Sequence, residues 1–358
     1  MEFIKGFDAS AESDDWNKNK YKNKDGENQE IFEILKENGV NCIRLRIWND
    51  PKNPNNPEEP GASDLETVIS QAKRVKNCGL KFLLDFHYSD YWADPGKQAI
   101  PQQWLECTDS DQISLKLGDW TEKVLDALNQ AGCSPDMIQI GNEINTGILT
   151  GYFDKGKLKK LSATISGSSS LAPQNYIKYL DSGIKAARKS CPDSKIMLHL
   201  AEGGGKIDWL LDMYEDAKLD YDIIGLSYYP FEKTHGTIDQ LAENIKAFQK
   251  KYKKEVMVAE TAHPFYTDNP KSADLVNATK NLTCKNGKIY EGIEEKNGLV
   301  LASPKNQEAV IRAVAKTAKD SGAKGFFTWG GEYPGSWRYG MFSQAGLPFK
   351  SLELFSDL

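Results

Sequence analysis

Short apolar runs alternate with amphipathic segments of helical period from one end of this chain to the other. The runs are Phe3–Asp8, Cys42–Trp48, Phe82–His87, Met137–Glu143, Ile196–Glu202, Ile223–Pro230, Val256–Glu260 and Gly325–Trp329. Most are continuously apolar, as strands covered on both faces are. Between them the period becomes helical. Ile31, Phe32, Ile34 and Leu35 lead to a stop at Gly39, and Leu65, Val68, Ile69, Ala72 and Val75 lead to Cys78-Gly79. Trp120–Ala131, Tyr176–Ser190, Ile207–Ala217, Ile238–Tyr252 and Gln307–Ser321 predict the remaining helices, several of them closed by Gly or Pro.

Eight strand-helix units predict an α/β protein of the closed (β/α)8 kind, a TIM barrel, as a single domain over residues 1–358. A doubly wound open sheet would need a Gly-rich phosphate turn after an early strand. Gly203-Gly204-Gly205 follows a strand but lacks the G-x-G-x-x-G spacing. Two long loops stand out, about 49–63, rich in Pro and Asn, and about 261–303, polar with no strong period. Long loops after barrel strands frame the active-site mouth. The Ser-rich stretch 162–170 reads as a flexible connector, and 341–358 as a closing segment.

Composition narrows the function. The net charge is −6, with Lys and Arg spread along the chain, which gives no footprint for nucleic acid or an acidic membrane surface. No stretch approaches the roughly 20 apolar residues of a membrane span. The N-terminus runs straight into the first strand without a leader pattern. The cysteines, Cys42, Cys78, Cys107, Cys133, Cys191 and Cys284, form no C-x-x-C pair and read mostly as free and buried. A surface bridge through Cys107 or Cys284 stays open. Many of the 8 Trp and 15 Tyr fall in loops after strands, where exposed rings are placed to stack on something.

On a barrel the C-terminal strand ends face the active site. In order they offer Asp8; Arg44, Arg46 and Trp48; Asp85 and His87; Asn142-Glu143; Glu202; Tyr228-Tyr229; Glu260; and Trp329. Glu143 and Glu260 each close an apolar run, where a carboxylate is costly unless compensated. Each could also be a strand-end acid that simply meets solvent. The rim has no Ser-His-Asp order, no P-loop and no H-E-x-x-H. Two carboxylates among Arg, His, Tyr and Trp fit glycoside hydrolysis, with rings stacking on sugar faces and polar groups binding hydroxyls.

Specific motifs then carry a resemblance. Gly39–Trp48 followed by Asp50-Pro51, and Asp85–Gln98 (DFHYSDYWADPGKQ) closing at Pro101 and Trp104, resemble the arabinogalactan endo-1,4-β-galactanases. Gly141-Asn142-Glu143-Ile144-Asn145, Ser227–Phe231, Glu260-Thr261 and Met341–Gln344 follow in that family's order, so the resemblance spans nearly the whole chain. It implies a retaining (β/α)8 glycosidase acting on β-1,4-galactan of type I arabinogalactan and pectin. Glu143 would be the acid/base and Glu260 the nucleophile, kept ionised by Arg44 and oriented by Tyr229. Asn142 would bond the sugar 2-hydroxyl and Trp329 floor its subsite, with Asp85, His87, Asp90 and Trp92 lining neighbouring subsites.

Plainer readings stand beside these. Arg46 could be a structural ion-pair partner, Trp48 and Tyr228 packing groups, His199 a satisfied core histidine, and Glu202 a loop acid. Asn277-Ala278-Thr279 and Asn281-Leu282-Thr283 match glycosylation sequons, a pattern common by chance. The chain departs from the family at Thr328-Trp329-Gly330-Gly331-Glu332-Tyr333-Pro334, where Trp-Glu-Pro is usual, so the wall beyond Trp329 is altered. Some bacterial members hold calcium in a long loop. Here Asp268, Asp274, Glu291, Glu294 and Glu295 do not alternate tightly; no catalytic metal or other cofactor is expected, and a structural calcium stays open. A related glycanase acting on mannan or glucan, or a sugar-binding barrel without catalysis, are the competing functions. The Asp85–Gln98 run opposes the first, and retention of both Glu residues, Asn142 and Arg44 the second. A polymer too large to import implies a secreted or cell-surface protein, expected to act as a monomer.

Overall fold

A computed structural model of the chain describes residues 2–15, 17–56, 63–269, 272–335 and 337–358. Its strands form a closed barrel: β1 (Ile4–Asp8), β2 (Cys42–Ile47), β3 (Lys81–Phe86), β4 (Met137–Ile140), β5 (Lys195–Leu200), β6 (Ile223–Ser227), β7 (Glu255–Thr261) and β8 (Gly325–Thr328). Each neighbours its sequence neighbours and β8 returns to β1. The eight-unit barrel read from the alternation is therefore what the chain forms. By contacts the chain gathers into two compact units. One holds Met1–Arg44, Ala201–Lys206 and Ile224–Leu358, the other Leu45–Leu200 and Ile207–Ile223.

The helices start where short polar side chains satisfy the first free N–H groups. Asp64 accepts from Thr67 N at 2.8 Å before α2 (Leu65–Asn77), and Asp109 accepts from Gln112 N at 2.9 Å before α3 (Ser110–Gln130). Pro173 opens α4 (Pro173–Ser190), and a capping box of Thr237 and Gln240 opens α6 (Ile238–Tyr252). The periodic apolar residues face inward, as with Val68, Ala72 and Val75 on α2. The third helix begins well before Trp120 because the Asp109 cap, not the first aromatic, sets its start.

Other expectations need correction. The Ser-rich stretch is not a loose connector: Ser166–Ser169 are buried, and Gly167–Ser168 pair antiparallel with Gly147–Ile148. The region 261–303 carries a helix, Ala273–Asn281, and a short strand pair at Glu295–Lys296 and Leu299–Val300. Of the 49–63 loop, residues 57–62 lie outside the described residues. Among the described residues all six cysteines are free, and Cys107 is buried. The sequon asparagines work inward instead. Asn281, itself buried, donates to the carbonyls of Pro230 and Glu232, and Asn277 to that of Phe231. The closing segment is a 3-10 helix, Lys350–Phe355, whose Phe355 ring stacks on Phe326 at 5.6 Å. No helix among the described residues is long and apolar enough to cross a membrane.

Candidate active site

Strand β7 is irregular near its end. Its pairing with β8 advances from Val258 opposite Phe326 to Thr261 opposite Thr328, so one extra residue is taken up around Ala259 and Glu260. A bulge of this kind re-aims the side chains it carries. Glu260 is only 6% exposed, and both oxygens are held. Its Oε1 lies 2.8 Å from Arg44 Nη1, and its Oε2 accepts a 2.7 Å hydrogen bond from the Tyr229 hydroxyl. Arg44 Nη1 also lies 2.8 Å from Asp8 Oδ2, the two residues being register partners on adjacent strands. The other Asp8 oxygen accepts from Ser10 N at 3.0 Å and Ser10 Oγ at 2.6 Å. One buried guanidinium is thus shared by two carboxylates, a charge-assisted arrangement that favours the ionised form of Glu260.

Tyr229 is fixed from behind. Its backbone N donates to His235 Nδ1 at 3.0 Å, and its ring meets Trp329 edge-on at 6.3 Å. Burial lowers the His235 pKa to about 4, so the ring stays neutral and Nδ1 stays free to accept. Beyond half-buried Trp329, Trp337 stands edge-on at 6.4 Å, with Tyr339 against both rings. Gly330 explains the altered wall: its φ is +72°, and a Cβ there would sit 3.1 Å from Trp337 Nε1. Glu332 turns inward, where Oε1 accepts from Ala11 N at 3.2 Å, so it braces the first loop. Trp337, Tyr339 and His235 were not singled out from sequence; they follow no run or motif.

The other glutamate sits in different surroundings. Strand β4 stops at Ile140, and Gly141 and Glu143 both take positive φ, +82° and +48°. A left-handed non-glycine backbone costs on the order of 1–3 kcal/mol and gathers at functional sites. Glu143 is half-buried and opens the 3-10 turn Ile144–Thr146. That turn is pinned by the Tyr176 hydroxyl on Ile144 O and by Ser169 Oγ on Asn145 O, at 2.9 and 2.8 Å. The ordered serine stretch is one of its two supports.

Asn142, 5% exposed, is oriented on both sides: Nδ2 donates to Ala93 O at 2.9 Å, and Oδ1 lies 2.9 Å from His199 Nδ1 and 3.1 Å from Gln139 Nε2. Gln139 Nε2 also donates to Asp85 Oδ1 at 2.5 Å. The signal for Gln139 was a lone polar residue within an apolar run. His199 is accordingly a satisfied buried histidine that helps hold Asn142.

The site residues expected on the third-strand loop divide. Asp85 is fully buried beneath this network. His87 accepts from Ala93 N through Nδ1 at 3.0 Å and faces Asp85 Oδ2 through Nε2 at 3.1 Å, so both ring nitrogens are occupied. The Asp90 carboxylate accepts from Asp50 N, Asn53 Nδ2 and Gln102 N at 2.7–3.0 Å and ties two loops together. Burial raises its pKa, and the bonds from Gln102 and Asn53 offset part of the rise. Trp92 remains half-buried. The Arg46 guanidinium lies over its ring at 4.0 Å and over Trp48 at 4.7 Å, so Arg46 stacks with aromatics. Tyr228 is a fully buried packing group bonded to Gly236 O at 3.2 Å. Glu202 takes positive φ after β5. Of the acids weighed for calcium, Asp274 pairs with Arg338 and Glu294 with Lys305. Among the described residues no group of three or more His, Cys, Asp or Glu could hold a metal ion.

A parallel (β/α)8 barrel with a clamped glutamate after strand seven and an Asn-Glu pair after strand four defines the class: a glycoside hydrolase. Residues 4–356 match glycosyl hydrolase family 53, and the chain belongs to that family. It is 31% identical to the arabinogalactan endo-beta-1,4-galactanase of Cellvibrio japonicus (strain Ueda107), covering 85% of this chain and 73% of that one. It is 32% identical to the endo-beta-1,4-galactanase of Bacillus subtilis (strain 168), covering 92% and 70%. Among solved structures, the Ignisphaera aggregans GH53 catalytic domain superposes with a TM-score of 0.80 at 29% identity, over 99% of this chain and 95% of that one.

Proposed function

We propose that this protein cleaves internal β-1,4-galactosidic bonds in galactan of the type I arabinogalactan and pectin kind, by double displacement. The clamp on Glu260 carries the reading. A carboxylate held by Arg44 and the Tyr229 hydroxyl is oriented to attack the anomeric carbon. The galactan assignment comes from the names of the relatives given above.

In the first step Glu143 gives its proton to the glycosidic oxygen while a Glu260 oxygen bonds to the anomeric carbon. The leaving chain departs as an alcohol, and a covalent glycosyl ester remains. In the second step the Glu143 carboxylate takes a proton from water, whose oxygen displaces Glu260, and configuration is retained overall. Asn142, its amide aligned by His199 and Gln139, bonds the 2-hydroxyl. Trp329 and Trp92 stack on sugars. Asp85 and His87 hold the loop that shapes the neighbouring subsite, and Asp90 fixes its base. Side chains fill both catalytic roles, so the reaction draws on no cofactor. A polymer too large to import supports a secreted or cell-surface location, and the reading takes the protein to act as a monomer.

Proton NMR of fresh digests tests the mechanism. The first product signal is expected to be the β-anomer, and an α-anomer appearing first would sink double displacement. Early release of mixed oligosaccharides from galactan is expected of endo action; galactose alone throughout would contradict it.

A further inference from the structure

The spread of Lys and Arg seen in the sequence has a local exception in the segment that follows Glu143. Gly151–Asp154 and Lys157–Lys160 form an antiparallel hairpin whose outer part carries Lys155, Lys157, Lys159 and Lys160, all exposed. The register puts Tyr152 opposite Lys159 and Asp154 opposite Lys157, so these share one face. Among the described residues none of the four lysines makes an ion pair at contact distance, and Asp154, across from Lys157, is the one acid of the hairpin. Lys178, Lys185 and Lys189 on α4, by contrast, each sit 2.6–2.7 Å from an acid. Four lysines against one acid, in a chain of net charge −6, make a local positive field on an acidic molecule.

The hairpin is bonded into the acid/base side of the site. Thr150 N and Gly151 N both donate to Gln98 O, at 2.6 and 3.1 Å, and Ile100 N donates to Gly151 O at 2.8 Å. The Gln98 side chain donates to the carbonyl of Asn142 at 2.8 Å. Hydrogen bonds through Gln98 therefore link Asn142 to the base of the hairpin.

We infer that this hairpin binds the carboxylates of a uronate-bearing polysaccharide on the leaving-group side of the cleavage point. The inference rests on the galactan reading above. An acid catalyst sits at the glycosidic oxygen, so the chain segment it releases is the one toward the reducing end. A glycan side chain is attached to its backbone through its reducing end. The leaving-group side of a galactan branch therefore leads to the pectic backbone, whose galacturonate residues are anionic. Lysines placed there match that charge, while a neutral galactan gives them nothing to bind.

The test compares two substrates, neutral galactan freed of its backbone and galactan still attached to galacturonate-bearing backbone. The triple variant Lys157→Ala/Lys159→Ala/Lys160→Ala alters only exposed side chains. It is expected to raise KM on the attached substrate about 5-fold with kcat unchanged, and to leave the neutral substrate alone. Raising salt from roughly 0.01 M to roughly 1 M, which shortens the Debye length from about 30 to about 3 Å, should reproduce that split in the wild type. A native gel containing polygalacturonate reads the hairpin without turnover: wild type is retarded and the variant runs free. Equal KM on both substrates, with no difference in retardation, overturns the inference. Failure of the wild type to cleave neutral galactan overturns the galactan reading instead, and retardation alone then decides whether the hairpin binds uronate.

Discussion

The two strand ends that carry Glu143 and Glu260 differ in how charge is managed. After β7 the carboxylate is buried, faces a cation shared with Asp8, and takes a phenol hydrogen bond on its other oxygen. After β4 the carboxylate is half-exposed on a left-handed backbone, and the neighbouring Asn142 is held by neutral groups, Ala93 O and the Gln139 amide. An oriented anion and a group free to take up and release a proton need these opposite settings. The contrast lies in burial and backbone conformation, since the two side chains are chemically identical.

The sharpest way to break the comparison is to remove each acid. Glu260→Ala is expected to lower kcat on galactan on the order of 10⁵-fold. Glu143→Ala should cost about 10²–10⁴-fold on galactan, and far less on an aryl galactoside whose leaving group needs no proton. Azide should rescue both variants with different products, the α-galactosyl azide from the Glu260 variant and the β-galactosyl azide from the Glu143 variant. Identical azide products would erase the distinction between the two ends.

Arg44→Met comes next. It strands Asp8 and Glu260 together without their cation, a change expected to destabilise the fold by about 3–5 kcal/mol. In the surviving folded protein kcat should fall on the order of 10²-fold through lost orientation of the nucleophile. Glu260 would also protonate more readily, so the acidic limb of the pH profile should move to higher pH. An unmoved limb would mean that Arg44 does not set the charge of Glu260.

The smallest effect concerns two buried histidines on the strand-seven side, His235 behind Tyr229 and His263 just beyond β7. Burial lowers each pKa from 6.5 to about 4. The unfolded chain binds their protons first as pH falls, so stability is full above about pH 6.5, declines toward pH 4 and then levels off. Each contributes about 3 kcal/mol to that decline, readable as a falling Tm. His235→Asn keeps an acceptor near Tyr229 N and removes one titration, and should flatten the slope in melts across that range.

The alternation of apolar runs with helical periods made the barrel legible, because burial on both faces leaves a continuous apolar signature. Strand ends were less legible. The run ending at Glu143 looks uniform, yet the strand stops at Ile140, because positive φ at Gly141 and Glu143 is a backbone property that side-chain hydrophobicity does not report. The helix Ala273–Asn281 was hidden for another reason: it is short, with Leu275 and Ala278 its buried apolar residues, and its two asparagines spend their amides on the 230–232 carbonyls. The residue types of the site could be read from motifs, but the direction of their bonds could not. Asp90 and His87 look like sugar ligands in one dimension, and their polar atoms are taken by Gln102 N and Ala93 N.

Arg44, lodged between Asp8 and Glu260, has a consequence for the covalent stage of the proposed reaction. When Glu260 becomes an ester it loses its negative charge, and a guanidinium serving it alone would be left as an isolated cation in a buried place. Asp8 acts as a counterweight, itself secured by Ser10, so Arg44 keeps an anion at 2.8 Å throughout. The Asp8, Arg44 and Glu260 cluster carries one net negative charge while Glu260 is ionised and none once the sugar is attached, so no buried cation is left without its anion at the covalent stage.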